Sequence, residues 1–182
     1  MHPDHSAGLT DPKTGRRLFP NAELVVHENE PRHWNDDTAM AKASERAKRL
    51  YFQCAREQMA PYHSVMHTFS GSVDVFPGVT SVPLHGHTPG HSGYMISSGR
   101  DTLLIWGDIV HVPDIQIPRP EVTIEFDTDP HAAAATRKQV LDEHPRTVAR
   151  APAFKGMTFP VSFTGKRMSA RVPRPRRRWR GA

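Results

Sequence analysis

Hydrophobic positions are scattered at the start of the chain. Ser6 to Pro20, rich in Gly, Pro and Thr, predicts a loop. The β-branched run Ala22–His27, bounded by turn residues, predicts a strand. Glu30–Trp34 predicts a short helix with Pro31 in its first turn. Asp36 or Asp37 then serves as the N-cap of a long helix reaching Met59, before Pro61 stops it. Its apolar stripe is Met40, Ala43, Ala47, Leu50, Tyr51 and Cys54 at the 3.6-residue period, with Lys42, Glu45, Lys48, Arg49 and Arg56 largely off it. Beyond Val65 the pattern shortens to strands at 65–69, 72–75, 79–84, 93–98 and 102–106, mostly separated by Gly or Pro turns. Together they predict one antiparallel sheet, half of a sandwich. The prolines at 113, 118 and 120 make 111–122 a loop, and Asp129-Pro130 opens a helix over Ala132–Leu141. No internal repeat is visible.

Composition changes this picture in two places. The chain has 182 residues, which predicts one domain, and a hydrophobic content of 37%. A mean hydropathy of −0.58 is low for a compact domain throughout. No apolar run approaches the roughly 20 residues needed to cross a bilayer, and no signal segment opens the chain. A soluble, cytoplasmic protein is therefore expected, without a membrane partner. The single Cys54 excludes an internal disulfide and reads as a small buried residue. The net charge of +5 comes from one end. All 19 acidic residues lie at or before Glu143, against 13 basic ones, a net −6; Arg146 to Arg180 adds 11 Lys/Arg and no acid. Residues 166–182 thus read as a basic, disordered, solvated tail. A nucleic-acid-binding module resting on that tail is the weakest functional reading.

The chemistry concentrates in three stretches. His2, Asp4 and His5 place two imidazoles and a carboxylate within four residues, and these are groups that zinc and other first-row divalent metals accept. His85-Gly86-His87-Thr88-Pro89-Gly90-His91 is a second His-rich turn, and Leu104-Ile105-Trp106-Gly107-Asp108 ends an apolar strand on a lone acid. In this order, H-x-D-H, G-H-T-P-G-H and a strand ending in Gly-Asp resemble the metallo-β-lactamase superfamily of dinuclear metal hydrolases. Leu18-Phe19-Pro20-Asn21-Ala22, His33-Trp34, Val122-Thr123 and Asp127-Thr128-Asp129 bring the likeness closest to the methyl-parathion hydrolase and lactonase-like branch.

That resemblance implies an α+β fold, a partial αββα sandwich lacking much of its first sheet. It implies two zinc ions, with His2 and His87 on one, Asp4 and His5 on the other, and Asp108 bridging; Asp4 is also the expected catalytic carboxylate. His91 is expected to hydrogen-bond the loop and His85 to do neither, while His111, Asp114 and Gln116 are candidates for the pocket wall. The implied reaction is hydrolysis of a small-molecule ester, lactone or organophosphate triester by a metal-bound hydroxide, with a homodimer left open.

The sequence also departs from the family pattern. The family's first motif is H-x-H-x-D-H, whose first His has no counterpart before Met1, so an N-terminally truncated member is expected. A later family His falls at Ala151, after the last histidine of the chain, His144. The expected organisation is therefore an incomplete metallo-β-lactamase-like domain over 1–143, a divergent segment over 144–165 and the tail over 166–182. A catalytically impaired fragment is the alternative to an active hydrolase.

Overall fold

The computed structural model describes residues 1–143, together with the backbone of 148–149 and 161–164. Ala151 and the basic tail lie outside the described residues.

The chain opens with one helical turn, α1 (Pro3–Ser6), which follows His2 at its N-cap. The loop expected over 6–20 is tied by an isolated bridge between Thr10 and Arg17. Strand β1 (Leu24–His27) leads into α2 (Asn29–Trp34). The single long helix expected from Asp36 to Met59 is instead broken. Asp36 caps α3 (Asp37–Lys42), accepting from the amides of Thr38 and Ala39. Ala43 is extended, and the Ser44 hydroxyl accepts from the Ala47 amide to cap a fresh turn, α4 (Glu45–Ala47). A serine able to satisfy free amides makes such a restart favourable. The chain then runs through a π-helical segment (Lys48–Gln53) into α5 (Cys54–Met59) and a 3-10 stretch (Ala60–Val65). Half of the expected stripe packs inward, with Met40, Ala43 and Tyr51 around Trp34, Phe52, Ala55 and Met59. Ala47 lies outside this cluster, and Leu50 is exposed because the break and the π-helical turn rotate it away. Cys54, expected buried, is half-buried.

Strand β2 (Met66–Phe69) departs from the expected single antiparallel sheet. It pairs in parallel with β1, Leu24 facing Met66 and His27 facing Phe69. The helices from α2 to α5 form the crossover that a parallel pair requires and a hairpin could not supply. The other strands form the antiparallel sheet: β3 (Asp74–Phe76), β4 (Val79–Pro83), β5 (Ser92–Ser98) and β6 (Asp101–Ile105). After β6 come a 3-10 turn (Gly107–Ile109), α6 (Pro113–Gln116) and α7 (Pro130–Glu143). The expected loop over 111–122 therefore contains a helical turn. Strands β7 (Val148–Ala149) and β8 (Val161–Thr164) extend the sheet, giving the order β3-β4-β5-β6-β8-β7.

Helix α7 covers this sheet, and Leu84, Leu104, Trp106, Ile109, Val110, Ala133 and Val140 form the core between them. A mixed helix-and-sheet fold with two sheets is the α+β architecture expected. The three chemistry-bearing stretches lie where the helical core meets the sheet core. No helix among the described residues is long and apolar enough to cross a membrane.

Candidate metal centre

Each side chain of the site reaches it by a local device. The α1 turn lifts His5 and Asp4 out of the chain just after His2, with the amides of His5 and Ser6 both donating to the His2 carbonyl. His2 is buried, its ring packed on Tyr51 at 4.8 Å and on Trp34 at 5.5 Å between centroids. His87 sits on the β4–β5 connection. Gly86 precedes it at φ 124°, and a Cβ there would collide with the backbone of Ala133. Gly90 is required for a different reason, since a Cβ would meet Glu30 at 2.8 Å. Asp108 follows β6 on the 3-10 turn, where its amide donates to His91 Nε2 at 3.0 Å.

The five expected site residues converge. His2 Nδ1 lies 2.9 Å from His87 Nε2, which is 3.5 Å from Asp108 Oδ2. His5 Nε2 contacts the same Asp108 oxygen at 2.6 Å and Asp4 Oδ2 at 3.4 Å. Two groups of donors could each hold a cation: His2, His87 and Asp108, and Asp4, His5 and Asp108, with every donor atom within 4.8 Å of the others in its group. Asp108 belongs to both. Asp4 is the loosest member, its side chain 70% exposed.

Electrostatics suit such a use. Burial, reinforced by His87 and opposed by Glu30 and Asp108, lowers the His2 pKa to about 3, so its ring is neutral. Burial opposes ionisation of Asp108, but the His111 and His5 imidazoles outweigh it and hold the carboxyl well below the usual range. Hydrogen bonding to Asp108 raises the His5 pKa against the effect of its burial. Imidazole nitrogens beside an ionised carboxylate form the nitrogen and oxygen donor set that zinc accepts, so the residues present fit the ion.

The other histidines sort cleanly. His91 Nδ1 donates to the Leu84 carbonyl at 2.8 Å, so this ring ties the loop, as expected. Burial and His87 lower its pKa to about 4. His85 packs on His27 at 4.9 Å, outside both donor groups. His111 lies beside the donors, with Nε2 3.6 Å from Asp108 Oδ2 and its ring 4.9 Å from that of His87. Gln116 does not line the pocket. Its buried amide holds the loop by accepting from the His111 and Val112 amides and donating to the Val122 carbonyl. Asp114 is exposed.

Three residues escaped the sequence reading. Glu30 Oε1 accepts from the Thr88 hydroxyl and the Gly90 amide, while Oε2 accepts from Trp34 Nε1 and the Met1 amino group. Burial opposes its ionisation, yet these donors, the amino group first, bring its pKa to about 2. Asp127 Oδ1 lies 3.1 Å from His87 Nδ1, and its Oδ2 lies 3.5 Å from Arg137 Nη2. Burial works against the Asp127 anion too, but His87, the Ile124 amide and Arg137 hold its pKa below the ordinary value. A signal for Arg137 was present: it lies on the Ala133–Arg137–Val140 stripe of α7, a lone cation on a buried face.

Comparison with solved structures gives the hydrolase AbOPH of the beta lactamase superfamily at 30% identity and TM-score 0.71, covering 93% of this chain and 62% of that one. AidC, a dizinc quorum-quenching lactonase, is 24% identical with TM-score 0.73, covering 93% of this chain and 63% of that one. A probable metal-dependent hydrolase from Staphylococcus aureus is 26% identical with TM-score 0.64, covering 79% and 47%. This chain thus spans less than two thirds of each of these structures. No curated protein matches it. The model of the metallo-beta-lactamase superfamily matches residues 1–149, a stretch that contains every donor just described, and the chain belongs to that superfamily.

Proposed function

We propose that the pocket is a zinc-type metal centre for hydrolysis of small-molecule esters, lactones or phosphotriesters. The observation that carries this reading is Asp108, a carboxylate common to two clusters whose other donors come from residues 2–5 and His87. His2 and His87 present nitrogens to one position, and Asp4 and His5 present an oxygen and a nitrogen to the other. A divalent cation held by such donors supplies Lewis acidity and activation of water near neutral pH. The chain's own contribution is to keep the His2 ring neutral and shielded by Tyr51 and Trp34. Asp4, open to solvent beside His5, is placed to exchange a proton with water. The likeness to a lactonase and to hydrolases supports this substrate class.

A second reading, a weakly occupied and catalytically impaired centre, is favoured by one observation. Among the described residues each cluster has three donors, and its two members besides Asp108 fall one imidazole short of the set that the family resemblance implies. Metal analysis and hydrolysis of a lactone and an aryl phosphotriester separate the readings. The impaired centre predicts fewer than two zinc ions per chain and slow turnover. Two ions per chain with rapid hydrolysis abolished by His87→Ala would rule it out and leave the first. Loss of all zinc binding in the unaltered chain would overturn both.

A further inference from the structure

His87 is held from two sides. Its Nε2 faces His2 Nδ1 and Asp108, while its Nδ1 faces Asp127 Oδ1 at 3.1 Å. Behind Asp127 lies Arg137, and both side chains are fully sealed from solvent. The Arg137 guanidinium also donates from Nε to the Ile109 carbonyl at 2.5 Å and from Nη1 to the carbonyls of Pro120 and Val122 at 2.7 and 2.8 Å. One buried cation therefore binds the carboxylate behind His87 and both ends of the segment that carries His111.

We propose that Asp127 and Arg137 form a positioning unit for the metal centre: Asp127 keeps the His87 proton on Nδ1, so that Nε2 offers its lone pair to the ion, and Arg137 fixes Asp127 and the 109–122 segment in one register. The inference rests on the reading of the pocket as a metal centre. Its chemistry follows from the side chains. A neutral imidazole carries one proton, and an ionised carboxylate can only accept. Asp127 beside Nδ1 therefore selects the tautomer with a bare Nε2. Without it the proton is free to sit on Nε2, where the lone pair is required. A buried ion pair alone is weak evidence for stability, and the three carbonyl bonds already anchor the loop. The contact to Asp127 adds orientation of His87.

The Ile124 amide also donates to Asp127 Oδ2, at 3.3 Å, on the side where Arg137 lies. The amide hydrogen bond and the guanidinium charge, an ion-pair partner at 3.5 Å, both favour an acceptor at that position. In Asp127→Asn the oxygen is therefore taken by Ile124 and Arg137, the amide NH2 turns to His87, and the wrong tautomer is favoured.

Two measurements test this. Imidazole 15N–1H correlation spectra of the unaltered, metal-free chain are expected to show His87 protonated at Nδ1; a proton on Nε2 would overturn the proposal without any variant. Cobalt(II) titration by chelator competition and visible spectroscopy is expected to show affinity reduced about 10- to 100-fold in Asp127→Asn, with shifted ligand-field bands. Arg137→Met should weaken binding similarly, and Arg137→Lys should recover part of the loss. Folded variants with unchanged affinity and spectrum would refute the positioning role. Failure of the unaltered chain to bind cobalt would instead remove the metal reading itself, and the inference with it.

Discussion

Both oxygens of Glu30 are engaged by donors from three parts of the chain, which makes this buried carboxylate the residue that ties the first motif to the second. Its folded pKa of about 2 lies below the ordinary 4.5, so ionised Glu30 stabilises the fold fully above pH 4.5. That contribution fades as the pH falls from 4.5 towards 2. Glu30→Gln removes the charge and points an amide NH2 at donors. It should lower unfolding stability at pH 7 by roughly 2 kcal/mol or more, and flatten the pH dependence between 4.5 and 2. Denaturant unfolding at pH 3 and pH 7 checks both; a variant whose loss is the same at the two pH values would show that the charge is not what matters. Glu30 was hidden in the sequence because an acid in the first turn of a predicted helix reads as an ordinary solvated residue. Its role depends on Thr88 and Gly90, about 60 residues away.

At the scale of elements, the β4–β5 connection is where backbone shape matters most. Gly86→Ala combines a positive φ with a collision against α7, and should cost roughly 3 kcal/mol or more because a backbone cannot swing aside as a side chain can. Thermal melting with far-UV circular dichroism measures this, and a change below about 1 kcal/mol would mean that the loop and α7 separate easily. Asp36→Ala, at the α3 cap, should cost only about 1 kcal/mol and leave metal affinity untouched, since α3 touches the site only through the core around Trp34. Strand positions in the antiparallel sheet were legible because alternation and turn residues are local signals. The β1–β2 pair was not, because pairing direction is set by the connection between strands. The break at Ala43–Ser44 was not either, because it interrupts a stripe whose period continues on both sides.

For the whole molecule, the two cores meet at the donors, so a bound ion should brace both. Zinc at about 100 times its dissociation constant is expected to stabilise the chain by about 2.7 kcal/mol, seen as a rise in melting temperature of about 5–10 °C for a chain of this size. A chelator should reverse the rise, and His87→Ala should abolish most of it. A melting temperature indifferent to zinc would mean that the donors do not share an ion in solution.

By itself, the sequence determined the family likeness, the short strands, part of the amphipathic helical stripe and the five site residues, four of which gather around Asp108. These are carried by residue type and short spacing, which survive without coordinates. Only the tertiary structure decided that β2 runs parallel to β1, that His111 stands beside Asp108 while Gln116 turns inward, and that Glu30, Asp127 and Arg137 hold the histidine loop. The strand pairing and the roles of Glu30 and Asp127 rest on contacts between residues tens of positions apart. His111 and Gln116 are placed by partners three to six positions away, whose geometry only the folded loop sets. A buried charge takes its meaning from the partner that the fold brings to it, and no local pattern names that partner.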